Sequence, residues 1–443
     1  MSEKSLPLTG FLSDYAHSKP IRAHMPGHKG KPLQGFPALS AVYPYDITEI
    51  AGADSLFEAD GILLEAEAHT CAVYGSGAVC YSAGGSTLCI QAMLARMQAE
   101  GRTVIAARTV HRAFLNACVL LGLQVHWVFP ENGSLLSGSY PPERFAAALH
   151  TAVQNGERPC VYLTSPDYLG GMQDIGAISA VCREYGAPLL VDNAHGAHLA
   201  FLPENRHPIA FGADYCCDSA HKMLPALTGG AWLHCREPEN KPLLKQHMQL
   251  FGSTSPSYLI MQSLEASTHW LETGGKAAIQ RTAALADALR EKLPQYEWLG
   301  SEPFHLAMAA NGLQLAEELR QHGVECEYAD KSCLVLLLSP LTEEAEFSRL
   351  TGILAACTPG TPAAQPPLPQ PPEQAMPLRE AALAPCEPVA LSKAEGRICG
   401  PVQVPCPPAV PILMSGERIT ADWLRLLQFY APDPESASIL AVK

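Results

Sequence analysis

The sequence predicts an α/β chain: a mostly parallel sheet with covered faces, followed by a smaller α+β C-terminal part. Three observations predict it. From about residue 60 to 275, short apolar runs alternate with stretches of helical pattern. Beyond about 275 that alternation gives way to two amphipathic stretches and short apolar runs. A proline-dense stretch then sets off the last part of the chain.

The elements follow in order. Residues 1–44 read as an arm, punctuated by His24-Met25-Pro26-Gly27-His28-Lys29-Gly30. Gly61 to Val73 is rich in Leu, Ala and Glu and predicts a helix. Ala78 to Ser82 is short and apolar, and Gly84-Gly85-Ser86-Thr87 then opens a strongly helical run. Thr103–Ala107, Cys160–Thr164, Pro188–Asp192 and Gly230–His234 read as strands, with a helix over Gly176–Tyr185. In such sheets ligands sit beyond the carboxyl ends of the strands. Lys276–Leu293 and Gly312–His322 are helical, with apolar runs near Val324 and over Leu334–Leu338. Thr358–Pro377 is too rich in proline for regular structure and reads as an extended, exposed linker. The organisation expected is an arm (1–44), a large domain (45–275), a small α+β domain (276–357), a linker (358–377) and a C-terminal segment (378–443).

Composition bounds the function. At 443 residues, 47% hydrophobic and 17% charged, the chain has material for more than one buried core. A net charge of −14 gives no basic footprint for nucleic acid. The 15 cysteines include no CxxC pair, and Cys216 and Cys217 are adjacent, so reduced and mostly buried thiols are expected. The opening MSEKSLPLTG lacks an apolar signal core, and no apolar run is long enough to span a bilayer. The expected location is the cytoplasm, away from membranes.

Four stretches carry chemistry. In Asp218-Ser219-Ala220-His221-Lys222, a lysine follows a serine and a histidine that can hydrogen-bond a phosphate; the same run also suits a surface lysine at a turn. Asp192 ends an apolar strand, where a carboxylate can pair with a pyridinium nitrogen or merely cap a helix. His195 and His198 are three apart, but no third ligand of suitable spacing lies nearby, and no metal site is expected. Gly84-Gly85-Ser86-Thr87 offers free N–H groups and hydroxyls at a helix start, as an anion cradle or a simple cap. His111 follows the strand Thr103–Ala107 and can stack on a planar cofactor or face water. Taken in order, a phosphate cradle, a stacking group, a strand-end carboxylate and a lysine form the layout of a pyridoxal 5'-phosphate site on an open α/β sheet.

The chain resembles the Orn/Lys/Arg decarboxylase family, in its short form. The resemblance runs through MPGHKG (25–30), YDITEIAGADSLFEADGILLEAE (45–67), GGSTLCIQAM (84–93), RTVHRAF (108–114), TSPDYLGGMQDI (164–175), VDNAHGAH (191–198), DSAHK (218–222) and STSPSYLIMQSLE (253–265). It resumes in PLREA (377–381) and VPCPPAVPILMSGERI (404–419). It implies the pyridoxal-phosphate-dependent transferase fold (fold type I) and a set of roles. Lys222 carries the cofactor as a Schiff base, and Asp192 pairs with the ring nitrogen. His111 and Ala194 cover the two ring faces, while Ser86, Thr87, Ser219 and His221 hold the phosphate. Gly85 and His195 complete the cofactor set. A homodimer or an assembly of dimers is implied, with Thr254 or Ser255 reaching the partner's phosphate. Four positions depart from the usual pattern: Asn193 stands for an acidic residue, Gly84 for an asparagine, Phe57 for a histidine and Ala409 for a glycine.

The implied reaction is decarboxylation of a basic L-amino acid, with arginine favoured over lysine or ornithine. His111 or Lys222 supplies the proton at Cα, and Glu49, Asp54 and Glu417 are candidates for the distal substrate cation. The rival expectations are an aminotransferase or other lyase on the same fold, and a catalytically idle protein that binds pyridoxal phosphate.

Overall fold

The computed structural model describes residues 6–402, 404, 408–431, 433 and 435–443. Residues 1–5 of the expected arm and 405–407 of the C-terminal motif lie outside the described residues. The chain forms two compact units that are not consecutive in sequence. One combines Met1–Arg96 with Asp192–Ala278, the other Met97–Val191 with Ile279–Lys443.

Seven strands build the large sheet: β1 (Ala78–Ser82), β2 (Thr103–Ala107), β3 (Val125–Val128), β4 (Pro159–Thr164), β5 (Leu189–Asp192), β6 (Tyr215–Asp218) and β7 (Ala231–Cys235). Strand β5 contributes residues to both units. In the first unit the order is β1-β7-β6, with Asp192 as the last residue of β5, and in the second β5-β4-β2-β3. Strands β1, β5, β6 and β7 are buried at every position, as expected of strands covered on both faces. Strand β2 pairs in parallel with β3 and β4, whereas β7 runs antiparallel to both β1 and β6. The sheet is thus mostly parallel, as expected, with a reversal that the alternation of strands and helices does not signal.

In the first unit, carboxylates organise the helices. Asp54 accepts from the backbone N–H groups of Ser55, Asp60, Gly61 and Leu63 at 2.8–3.1 Å, so it anchors the start of the helix Ile62–Tyr74. Glu67, fully buried on that helix, accepts from Tyr81 N on β1 at 2.8 Å and pairs with Lys245 and, at 2.9 Å, with Lys241. The expected arm is not featureless. Helices form at Pro7–Ser18 and Pro37–Val42. The first begins where Leu8 N and Thr9 N donate to the carboxylate of Glu265 at 3.0 and 2.7 Å, an anion placed at a helix start.

In the second unit, a four-stranded antiparallel sheet runs Glu297–Leu299, His305–Ala309, Cys333–Leu337 and Tyr328–Ala329, with helices Lys276–Lys292, Gly312–Gln321 and Glu344–Ala356. From 358 to 377 no helix forms and the one ladder contact is an isolated bridge at Gln374. The last part pairs Cys386–Ala390 with Ser438–Val442 and buries Trp423 of the helix Ala421–Tyr430. Among the described residues, no helix is long and apolar enough to cross a membrane.

Candidate active site

Most of the sequence-predicted site lies within the first unit. Asp192, at the carboxyl end of β5, is only 2% exposed. Its Oδ1 accepts from Ala194 N at 3.2 Å and from the Cys217 thiol at 3.6 Å. Ala194 and His195, two and three residues further on, are buried. At the end of β6, Ser219 leads into a single helical turn, Ala220–Met223, that carries Lys222. Lys222 Nζ and His195 Nε2 are 3.1 Å apart.

Two bonds tie the glycine-rich turn to the lysine loop. Gly85 N donates to Gly229 O at 2.8 Å, and the Ser219 and Ser86 hydroxyls are 3.1 Å apart. Gly85 has φ +68°, and a Cβ built there would meet nothing within 4 Å, so the helix Gly85–Ala99 starts beside open space. His221 lies against Gly230 O through Nδ1 at 3.0 Å. Burial pushes the His221 imidazole below its ordinary pKa, against the raising effect of that hydrogen bond, and the Lys222 charge lowers it further. Nδ1 therefore holds the proton of the neutral ring and Nε2 its lone pair, so His221 donates to a phosphate oxygen only when charged.

Thr87 and Thr254 are exposed, and Thr254 makes no hydrogen bond to the other cofactor residues among those described. His111 belongs to the second unit, where it caps the helix Arg112–Leu121 and its Nδ1 accepts from Ala113 N at 3.1 Å.

Two of the three carboxylates considered for the substrate cation already have partners in the chain. Asp54 is held by four backbone N–H groups. Burial raises its pKa, but those hydrogen bonds outweigh it and the net shift is downward. Glu417 is 1% exposed and forms a bidentate pair with Arg108, with Nη2 at 2.8 Å, while Met414 N donates to it at 2.7 Å. Glu49 alone of the three is exposed. At Phe57, the ring fills the space beside Gly252: a Cβ there would come within 2.4 Å of it. Ala409 keeps the left-handed backbone, φ +55°, that favours the glycine usual at that place.

Sequence reasoning missed a polar cluster around Asp218. His207, Cys216 and Asp218 bring potential metal-ligating atoms within 4.8 Å of one another, and His234 adds a second imidazole beside the carboxylate. No local motif announces it, since its members come from separate elements between 193 and 234.

Residues 6–300 match the Orn/Lys/Arg decarboxylase major domain, and residues 365–432 match the C-terminal domain of the same enzymes. The chain belongs to the Orn/Lys/Arg decarboxylase family. It is 27% identical to an arginine decarboxylase of Bacillus subtilis, over 95% of this chain and 93% of that protein. An arginine decarboxylase of Halalkalibacterium halodurans is 28% identical over 94% and 92% of the two chains. The solved lysine decarboxylase of Francisella novicida superimposes with a TM-score of 0.84 at 18% identity, covering 99% of this chain and 81% of that one. A serine palmitoyltransferase of Sphingomonas wittichii shares the fold more distantly, with a TM-score of 0.58 at 14% identity over 73% and 81% of the chains. This family member is an amino-acid decarboxylase by class, on the fold of the pyridoxal-phosphate-dependent transferases, as the sequence predicts.

Proposed function

We propose that the protein removes the α-carboxylate of a basic L-amino acid, arginine first, using pyridoxal 5'-phosphate carried on Lys222. The observation that carries this reading is the joint placement of Lys222 and the buried Asp192 at the ends of the neighbouring strands β6 and β5, beside the Ser86–Ser219 hydroxyl pair. The preference for arginine rests on the names of the curated relatives.

The donor set fits the cofactor. A pyridinium nitrogen needs a nearby carboxylate, and Asp192 is buried at a strand end. A phosphate needs N–H and O–H donors beside free space, which the helix start after Gly85 and the Ser86 and Ser219 hydroxyls supply, with Thr87 as a further donor and His221 joining only as a cation. On this reading Ala194 packs on one ring face, and His111 keeps the stacking role assigned from sequence. Thr254 is kept for the partner's site. When bound, pyridoxal phosphate supplies the electron sink for the bond broken at Cα.

The chain's own residues do the rest. Asp192, buried at the end of β5, presents its carboxylate where a protonated ring nitrogen would need it. His195 Nε2, 3.1 Å from Lys222 Nζ, exchanges a proton with that amine, which must be neutral to act as a nucleophile. Lys222 then returns a proton to Cα. Ile21, Met25, Phe36 and Leu39, between 48% and 97% exposed, supply apolar surface for a second copy of the chain.

The test is a product assay. The purified protein and pyridoxal phosphate are incubated separately with arginine, lysine and ornithine. Amine and keto acid are read by mass spectrometry beside a Lys222→Ala control, and light scattering gives the mass in solution. The expected result is one amine, agmatine first, absent from the control, from a dimer or larger assembly. A keto acid, or no amine from any of the three, would sink the decarboxylase reading.

A further inference from the structure

Beside the proposed site, as the last residue of β6, Asp218 is completely buried. Its Oδ1 accepts from Asn193 Nδ2 at 2.7 Å and from the Cys216 thiol at 3.6 Å. Its Oδ2 lies 2.9 Å from His207 Nε2 and 3.2 Å from His234 Nε2. His234 is fixed from behind by Ser76 Oγ on Nδ1 at 2.8 Å, and the Tyr74 ring packs against both imidazoles. Asn193, His207 and His234 are at most 1% exposed.

Burial pushes the Asp218 carboxyl up, yet the charges and hydrogen bonds of the two histidines hold it well below the ordinary carboxylate range. It is therefore an anion in the core, and an anion there is strongly unfavourable without such partners. Its place in the chain gives it leverage. Asn193 directly follows Asp192, and Asp218 stands four residues (222 − 218) before Lys222. Asn193 N also donates to Cys217 O at 3.0 Å. The cluster thus joins the backbone that carries the ring-nitrogen carboxylate to the backbone that carries the lysine.

We propose that Asp218, acting through Asn193, His207 and His234, is a positioning residue that fixes the spacing between Asp192 and the Lys222 loop. The proposal rests on the decarboxylase reading above. A metal ion held by His207, Cys216 and Asp218 is the weaker alternative. Burial, with the Asp218 charge, pushes the Cys216 thiol far above its ordinary value, and its proton already points at the carboxylate.

Asp218 only accepts hydrogen bonds, and that polarity makes the idea testable. In Asp218→Asn, the amide oxygen must turn to Asn193 and the amide N–H groups to the histidines. His207 would then carry its proton on Nδ1, which is buried without a partner. In the double variant Asn193→Asp with Asp218→Asn, the carboxylate moves to the other side of the same hydrogen bond. The hydrogen bond between positions 193 and 218 again pairs a donor with an acceptor and both histidines again face an oxygen through Nε2, while the Cys216 thiol alone loses its acceptor.

The experiment compares wild type, Asp218→Asn and the double variant, below the lowest melting temperature of the three. It reads the affinity of the apoprotein for pyridoxal phosphate, the visible absorption of the bound cofactor, and kcat and KM for the amino acid that the wild type turns over. The expected single variant loses about 100-fold in kcat with KM nearly unchanged, since a displacement of about 1 Å at the reacting groups has that effect. It binds cofactor roughly tenfold more weakly, the usual order for loss of an outer-sphere support. The double variant recovers most of both. A single variant that only melts lower, with cofactor affinity, absorption and kcat intact, would overturn the proposal, as would a double variant no better than the single or stoichiometric zinc in the purified wild type. A wild type that binds no pyridoxal phosphate fails the decarboxylase reading itself, and is seen before any variant is made.

Discussion

Glu417→Gln separates a scaffolding carboxylate from a substrate-binding one. In the second unit Glu417 neutralises Arg108, whose guanidinium also lies 5.1–5.3 Å from the ring centroids of Trp127, Phe129 and Trp423. The side chains of the pair are 4% and 2% exposed, so water screens the interaction little. Glutamine keeps the shape but presents an amide N–H2 to one guanidinium nitrogen and leaves the buried cation without its counter-charge. Removing one partner of a buried pair costs about 3–5 kcal/mol. At roughly 2 °C per kcal/mol for a body of this size, the melting temperature should fall by about 6–10 °C. Replacing both residues by methionine should return all but about 1–2 kcal/mol, because the unpaired charge goes with the pair. Scanning calorimetry with steady-state kinetics on arginine is the assay. The reasoning predicts a lower melting temperature and an unchanged KM. A KM raised tenfold or more with the melting temperature intact would refute it and return Glu417 to the substrate.

The complementary substitution is Glu49→Gln. Glu49 is the exposed member of the three carboxylates considered for the distal cation, so its loss should raise KM for arginine about tenfold with no change in melting. Equal KM values would remove it from consideration. A pH prediction comes from Asp167, which is buried against Ser137 Oγ at 2.6 Å and the N–H groups of Leu169 and Gly171. Burial outweighs those hydrogen bonds and pushes its pKa up to about 6 from 3.8. The folded state thus holds this proton more tightly than the unfolded chain. The stabilisation is full below pH ~4 and is lost as pH rises to ~6, by about 3 kcal/mol. Asp167→Asn should remove that slope, so urea denaturation at pH 4 and 7 should show wild type losing about 3 kcal/mol more than the variant. Identical slopes would contradict the assigned burial effect.

The sequence was legible where a local pattern and the tertiary structure agree. Gly85–Ala99, β2, β4 and β5 fall within a residue or two of their expected places, because apolar runs and helical periodicity record burial directly. Strand β3, Val-His-Trp-Val, went unread because its burial is partial and its His and Trp break any alternation. The helix Pro7–Ser18 was hidden for a different reason. Its N-cap Leu6 makes no side-chain cap bond, and the acceptor for its first N–H groups is Glu265, 256 and 257 residues away. No window along the chain contains both halves of that cap. The Lys222 loop was legible because lysine, serine and histidine sit within a few residues. The Asp218 cluster was not, because its partners approach only after β5, β6 and β7 have paired.

Asp54 and Glu49 show how far a family motif can be read. They stand five residues apart in one run, with the same charge, and the sequence offers no ground for giving them different work. The structure does. Asp54 spends its lone pairs on four backbone N–H groups, and Glu49 remains open to solvent. Glu67, Glu265, Asp218 and Glu417 belong with Asp54, each matched to a fixed cation or to backbone donors. The net charge of −14 already counts the paired cations, so what a cationic substrate meets depends on which carboxylates are left without a partner rather than on that sum. Preference for a basic amino acid has to come from carboxylates left unmatched, and counting each one's partners finds them where motif identity cannot.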